Sequence, residues 1–294
     1  MNMMSTTKVT SYINGNTKVS IFSDGTKIRE FEGEPKVIHP ESIDVKITNY
    51  CDLGCKYCHE SSTTEGKHAD LDKLLEVLSV LPAGVELAIG GGNPLSHPKL
   101  QPFLAELKTS GFLVNITVNQ GHLKTYMPLL IKLLEQELIY GIGISITSNN
   151  FKYVKELNKY SDNIVYHLIA GINNINVIND LIKLGNPKIL LLGYKLFGFG
   201  TKYYTQNVKA NIDVWKKIIR NLLRNVTISF DNLALEQLDV KKHFTKEGWE
   251  EFYMGDDFKF TMYIDAVNQN YAQTSRSLER TSFSKISLLK YFNL

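Results

Sequence analysis

Cys51, Cys55 and Cys58 are the only cysteines of the 294-residue chain, and they fall within eight residues as Cys51-Asp-Leu-Gly-Cys55-Lys-Tyr-Cys58. An odd count argues against a disulfide framework, and a tight three-thiol loop suits a soft metal or an iron–sulfur cluster. Three thiolates are one fewer than the four that close a structural site, which leaves an open position of the kind a catalytic centre needs. Three other readings compete. Zinc could take a fourth ligand from His59, His68 or His97. The run Cys55-Lys-Tyr-Cys58-His59 matches c-type haem attachment, but that leaves Cys51 idle and requires export. Three inert buried thiols would sit together only by coincidence.

The spacing Cys-x3-Cys-x2-Cys, with Tyr57 just before the third cysteine, resembles the signature loop of the radical S-adenosylmethionine (radical SAM) superfamily. Downstream, Leu87-Ala-Ile-Gly-Gly91-Gly92-Asn93-Pro94-Leu95 resembles the family's Gly-Gly-Glu-Pro turn. His167-Leu-Ile169-Ala-Gly171 is similar, more distantly, to its Gly-x-Ile-x-Gly-x-x-Glu segment. The resemblance covers about residues 42–232. It implies that Cys51, Cys55 and Cys58 each ligate one iron of a [4Fe–4S] cluster, and that the fourth iron binds the methionine amine and carboxylate of S-adenosylmethionine. Reductive cleavage of the sulfonium carbon–sulfur bond would then yield a 5′-deoxyadenosyl radical that takes hydrogen from a substrate carbon. The implied protein is an oxygen-sensitive enzyme served by a one-electron reductant such as a flavodoxin or ferredoxin.

The same resemblance distributes cofactor-binding roles. Tyr57 packs beside the cluster, with its backbone near the adenine. Gly91 and Gly92 let backbone approach the methionine moiety with no Cβ in the way, and Pro94 completes the turn. Asn93 is a departure, because the family usually has a carboxylate there. Its amide oxygen still accepts a hydrogen bond but lacks the charge, a loss on the order of 1 kcal/mol. Asn119 and Ser145 fall where family members contact the ribose or the methionine carboxylate, and Ile169 and Gly171 where they pack on the adenine. Tyr194, Lys195 and Asp231 lie at or just beyond strand ends, where a solvated loop position is the default and contact with substrate the alternative, and His59 is expected to hydrogen-bond near the cluster rather than ligate it. No catalytic residue acting on the substrate is legible.

These residues need a scaffold, and the hydrophobic pattern supplies one. Lys18–Ser23 and Thr26–Phe31 alternate about the turn Asp24-Gly25 and predict an N-terminal hairpin. Strict alternation over Ser42–Ile47 predicts the strand that delivers the cysteine loop. Strands at Val85–Ile89, Leu113–Val118, Gly141–Ile146, Ile164–Ile169, Lys188–Leu192 and Asn225–Phe230 then alternate with helical stripes. The helices are expected at Asp70–Leu81, from Pro98 with Ser96 as N-cap, Thr125–Gln136, Phe151–Tyr160, Ile175–Leu184 and Ile212–Leu223. This pattern predicts an α/β fold, a partial (βα)6 TIM-like barrel, with chemistry gathered at the C-terminal ends of its strands. Both motifs emerge at such ends.

The expected organisation is a hairpin appendage over 1–40, the partial barrel over 41–232 and a C-terminal α+β extension over 233–294. In the extension Phe258–Asp265 reads as a strand with a partner at Gln269–Thr274. It holds no cysteine for an auxiliary cluster, and it is expected to cap the barrel or shape the substrate entrance.

With 43% hydrophobic and 21% charged residues the chain can bury a core, and a net charge of +3 is too small to predict a nucleic-acid or membrane partner. Met1–Asn16 is polar and has no signal-peptide pattern, and no apolar run approaches a membrane span, so a reduced cytoplasm is the expected location. The expected function is a radical SAM enzyme acting in peptide or protein modification. The alternatives are a small-molecule or nucleotide-precursor enzyme and a catalytically weakened cofactor-binding module, the last hinted at by Asn93.

Overall fold

The protein is described here from a computed structural model over residues 7–294. Its first element is a small antiparallel sheet of β1 (Lys8–Asn14), β2 (Thr17–Phe22) and β3 (Lys27–Glu30). The β2–β3 hairpin follows the expectation; β1 corrects it, because a two-stranded appendage becomes three-stranded. That strand escapes sequence reading because Lys-Val-Thr-Ser-Tyr-Ile-Asn is largely polar and lies mostly exposed against β2. Residues 1–6 of the expected appendage lie outside the described residues.

The main sheet contains β4 (Ser42–Thr48), β5 (Glu86–Gly91), β6 (Leu113–Asn119), β7 (Gly141–Ser145), β8 (Ile164–Ile169), β9 (Lys188–Leu192), β10 (Thr227–Phe230), β11 (Thr261–Asp265), β12 (Asn270–Ala272) and β13 (Thr281–Ser282). Their spatial order is β10-β9-β8-β7-β6-β5-β4-β11-β12-β13. Every neighbouring pair from β10 to β11 is parallel. The parallel run therefore extends beyond six units at both margins, with β10 at one edge and β11 beside β4. β11 comes from the C-terminal segment and pairs Thr261–Asp265 with Ser42–Lys46, so that segment extends the sheet itself.

Strand alternation separates two faces. Ile43, Val45 and Ile47 of β4, Leu87 and Ile89 of β5, and Val114, Ile116 and Val118 of β6 are buried toward the helices. Each fully buried aliphatic side chain of this kind contributes about 1.5–3 kcal/mol. The residues between them, Asp44, Lys46, Ala88, Gly90, Thr117 and Asn119, face a cavity instead. The helices follow the predicted stripes with shifted ends. Helix Leu71–Leu78 is capped by Asp70, whose carboxylate accepts the Asp72 and Lys73 N–H groups. Helix Gln206–Asn225 begins six residues before the expected Ile212, because the Thr205 hydroxyl caps it by accepting from Val208 N–H. Ser96 is not the N-cap expected of it. Its hydroxyl donates to the Asn93 carbonyl at 2.7 Å within a 3-10 turn, and the helix starts later, at Leu100–Thr109.

The small sheet docks at the N-terminal ends of β4 and β5. Glu41, fully buried, accepts from Arg29 at 2.8–3.1 Å and lies 3.9 Å from Lys27, which also pairs with Glu86. The Arg29 guanidinium stacks on Phe260 at 4.0 Å. No helix of the described residues is long and apolar enough to cross a membrane.

Candidate functional site

The cysteine loop leaves the C-terminal end of β4 and is held by its own backbone. Cys51 N–H donates to the Thr63 carbonyl at 2.9 Å, Thr63 N–H to Asn49 at 3.1 Å, and Cys58 N–H to Cys55 at 3.1 Å. The glycine turn after β5 closes against it: Gly92 N–H donates to the Thr48 carbonyl at 2.8 Å, and Asn93 N–H to Tyr50 at 2.6 Å. A Cβ on Gly92 would overlap the Tyr50 carbonyl, and one on Gly91, whose φ is +113°, the Thr48 carbonyl. Chain packing alone thus requires glycine at both positions. From the far side, Phe199 N–H donates to the Cys58 carbonyl at 3.0 Å, next to Gly198, where a Cβ would overlap the His59 carbonyl.

All three cysteines are free, partly buried, and line one cavity of about 380 Å³. Burial, reinforced by the neighbouring thiolates, pushes the Cys51 and Cys55 thiols up; a bound cation reverses that preference. Asn119 places its amide nitrogen 3.8 Å from Cys55 Sγ, while its Oδ1 accepts from Gly121 N–H and the Thr147 hydroxyl. Burial and the adjacent Cys55 raise the Tyr57 phenol to about 12. Outside the cavity, Asp52 and His122 pair at 2.9 Å, and Cys51 Sγ lies within 4.8 Å of both groups. His122 stands far from the cysteines in sequence, and nothing in the chain announced it.

Beyond the cysteines the cavity wall is charged. Lys46 pairs with Glu60 at 2.9 Å and with Asp265 at 3.1 Å, and the Tyr263 hydroxyl donates to Glu60 at 2.9 Å. Although burial pushes the Glu60 carboxyl up, His59 and the Lys46 ammonium hold it well below the carboxylate range. His59 Nε2 lies between Glu60 Oε1 at 3.3 Å and Lys195 Nζ at 3.4 Å. Burial and the Lys195 ammonium push it down, against the pull of Glu60. Lys195 also donates to Ser275 at 2.9 Å. Asp44 and Asp231 complete this wall, and burial raises both carboxyls against the pull of Lys195. His167, whose ring fills the space a Cβ on Gly143 would need, is lowered by burial to about 4.

Of the expected site residues, Tyr57, Gly91, Gly92, Asn119, Ser145, Ile169, His59, Tyr194, Lys195 and Asp231 line the cavity together with the cysteines. Asn93, Pro94 and Gly171 do not. Asn93 is sealed directly behind Gly92, with neither amide atom hydrogen-bonded among the described residues. Gly171, at φ +95°, lies where a Cβ would come within 2.9 Å of Val208 and 3.0 Å of Ile212. Its place is therefore against the Gln206–Asn225 helix. His68 and His97 are engaged elsewhere: His68 meets the Thr48 hydroxyl at 2.9 Å, His97 donates to the Ala69 carbonyl at 3.1 Å, and the two rings pack edge to face. Sequence reading missed Asp44, Lys46, Glu60, His167, Tyr263 and Ser275. The parity of β4 and β8 carried a signal for Asp44, Lys46 and His167; nothing local placed the C-terminal Tyr263 and Ser275 there.

The family model described as the Radical SAM superfamily matches residues 45–228. A protein named "Probable GTP 3′,8-cyclase" from Methanothermobacter thermautotrophicus is 31% identical over 90 residues, 29% of this chain and 29% of that one. A GTP 3′,8-cyclase from Alkaliphilus oremlandii is 23% identical over 175 residues, 58% of this chain and 52% of that protein. Among solved structures, Streptococcus suis SuiB bound to precursor peptide SuiA superposes with a TM-score of 0.63 at 13% identity, covering 87% of this chain and 65% of SuiB. SuiB bound to S-adenosylmethionine gives 0.59 at 13% identity, covering 87% and 66%. These structural matches establish a shared α/β fold with a large, mostly parallel sheet, while this chain spans only part of each protein's length.

Proposed function

The chain belongs to the radical SAM superfamily, enzymes that use a [4Fe–4S] cluster and S-adenosylmethionine, and from that premise we propose that it abstracts hydrogen from a carbon of a peptide substrate. The observation that carries the reading is convergence: three free thiols, the glycine turn and Asn119 meet on one cavity wall at the C-terminal ends of parallel strands. We read the parallel strands as a partial barrel wrapped around that cavity, with residues 233–294 closing its β4 side through β11.

The residues fit the cofactors. Cys51, Cys55 and Cys58 are soft donors free of other bonds to sulfur, and they would hold the cluster. The amide of Asn93, sealed behind Gly92 and unpartnered among the described residues, would meet the methionine end of S-adenosylmethionine once its side chain turns toward the cavity, since buried polar atoms rarely stay unpaired. Asn119 and Ser145 would face its ribose or carboxylate, and Ile169 with Tyr57 would flank its adenine. When bound, the cluster supplies the electron that converts S-adenosylmethionine into a hydrogen-abstracting agent. The protein orients, excludes water, and accepts the electron from a one-electron reductant.

A nucleotide substrate is the second reading, favoured by the partial sequence likeness to the GTP 3′,8-cyclases. The cavity argues against it. Among the described residues its only lysines are Lys46 and Lys195, no arginine lines it, and Lys46 is already paired with two carboxylates. Triphosphates call for the opposite charge. The fold shared with SuiB, solved with its precursor peptide, supports the peptide reading.

The test is anaerobic reconstitution with iron, sulfide and a reductant, followed by assay of 5′-deoxyadenosine and of mass changes in candidate peptides and in GTP. Cofactor cleavage with a change on a peptide is expected. Turnover of GTP would replace the peptide reading, and material that binds no iron would end both.

A further inference from the structure

The charged wall is not uniform, and its two parts have different partners. Near the cysteine loop the charges of the cavity wall are answered: Lys46 by Glu60 and Asp265, and Glu60 further by His59 and Tyr263. Deeper in the same cavity the pairing stops. Asp44, on β4, has no hydrogen bond and no ion pair among the described residues. Asp231 uses Oδ1 to accept from Gly193 and Ala234 N–H at 2.9 and 2.8 Å, and its second oxygen has no partner among the described residues. The nearby lysine, Lys195, is bonded to Ser275 and His59, and neither aspartate forms an ion pair with it. The His167 ring has no hydrogen-bond partner among the described residues, is wedged over Gly143 and faces the cavity.

Asp44 and Asp231 both open onto the cavity, and Lys195 is the one nearby cation that pulls on both, so two carboxylates share a single counter-charge that bonds to neither. That surplus of negative charge faces the space where substrate would lie. We propose that the lobe bounded by Asp44, Asp231 and His167 receives a cationic group of the substrate, an alkylammonium or guanidinium. The cation lies between the aspartates, and the neutral imidazole supplies a further acceptor or a flat wall. Lys195, held by Ser275 and His59, answers only part of the lobe's negative charge. The inference rests on the peptide-modifying reading and narrows it to substrates with a basic side chain at the reacting position.

The experiment is anaerobic calorimetry on the reconstituted protein loaded with S-adenosylmethionine, without reductant, so that no chemistry runs. Four probes are compared: N-acetyl-lysine methylamide, its uncharged isostere N-acetyl-norleucine methylamide, 1,5-diaminopentane, and GTP. Binding of the lysine probe at least about tenfold tighter than the norleucine probe is expected, as for a charge-assisted contact. A diamine that outcompetes the lysine probe keeps the cation and assigns it to a free amine. Equal affinity for lysine and norleucine probes, no binding of either cationic probe, or strongest binding of GTP overturns the inference. Asp44→Asn should erase the lysine preference and leave norleucine binding in place, with a thermal melt confirming the fold. Should that variant fail to fold, the probe series on the unaltered protein decides alone. A protein that makes 5′-deoxyadenosine yet shows no charge preference loses only this inference, whereas one that holds no iron loses the reading beneath it.

Discussion

The two ends of β4 both carry buried charge, and they treat it differently. At the N-terminal end Glu41 is enclosed by Arg29 and Lys27, Lys27 also serves Glu86, and Arg29 stacks on Phe260. At the other end Lys46 is paired, but Asp44 faces the cavity alone and Asp231 is half satisfied. A closed network fixes one sheet on another; an open one is left for a ligand. Both sets stem from a single strand and its neighbours, so the contrast reflects position in the fold rather than composition.

That contrast can be broken or sharpened by measurement. The largest effect is expected from Cys58→Ala, which should remove cluster iron and reduce 5′-deoxyadenosine formation by more than about a thousandfold, while circular dichroism keeps the α/β signature. Glu41→Gln attacks the closed end. It strands Arg29, while Lys27 keeps Glu86, and should cost about 3–5 kcal/mol in urea unfolding; a cost below about 1 kcal/mol would show that this network does not anchor the small sheet.

His167 provides a pH test at the open end. Its folded pKa of about 4 lies below the ordinary 6.5. The folded state therefore binds fewer protons between those values, and the stability it contributes is complete above pH 6.5 and lost as pH falls toward 4. The loss should be on the order of 3 kcal/mol, and His167→Asn should remove that part of the slope. Asn93→Ala should weaken S-adenosylmethionine binding by about 1 kcal/mol, roughly fivefold, in equilibrium dialysis; unchanged affinity would remove Asn93 from the site. The smallest effect has the opposite sign. Burial raises the Asp44 carboxyl against the pull of Lys195, so its folded form loses stability as pH rises through that range, and Asp44→Asn should raise the urea midpoint slightly at neutral pH. Destabilisation by Asp44→Asn would mean that the open end is as structural as the closed one.

What the chain alone determined follows from short-range rules. Cysteine spacing sets a ligand geometry within one loop, and period-two alternation places Ile43, Val45 and Ile47 on one face whatever the rest of the chain does. Only the tertiary structure decided that β11 would pair with β4, that Tyr263 and Ser275 would reach the cavity, and that His122 would stand beside Cys51. Those contacts join residues 70 to more than 200 positions apart, where no local periodicity carries information. The same distance explains the glycine turn: its residues were visible as a motif, but the need for Gly92 arises from the Tyr50 carbonyl that folding brings against it. Whether a charge is answered or left open is likewise a property of neighbours, and the sequence shows the charge without them.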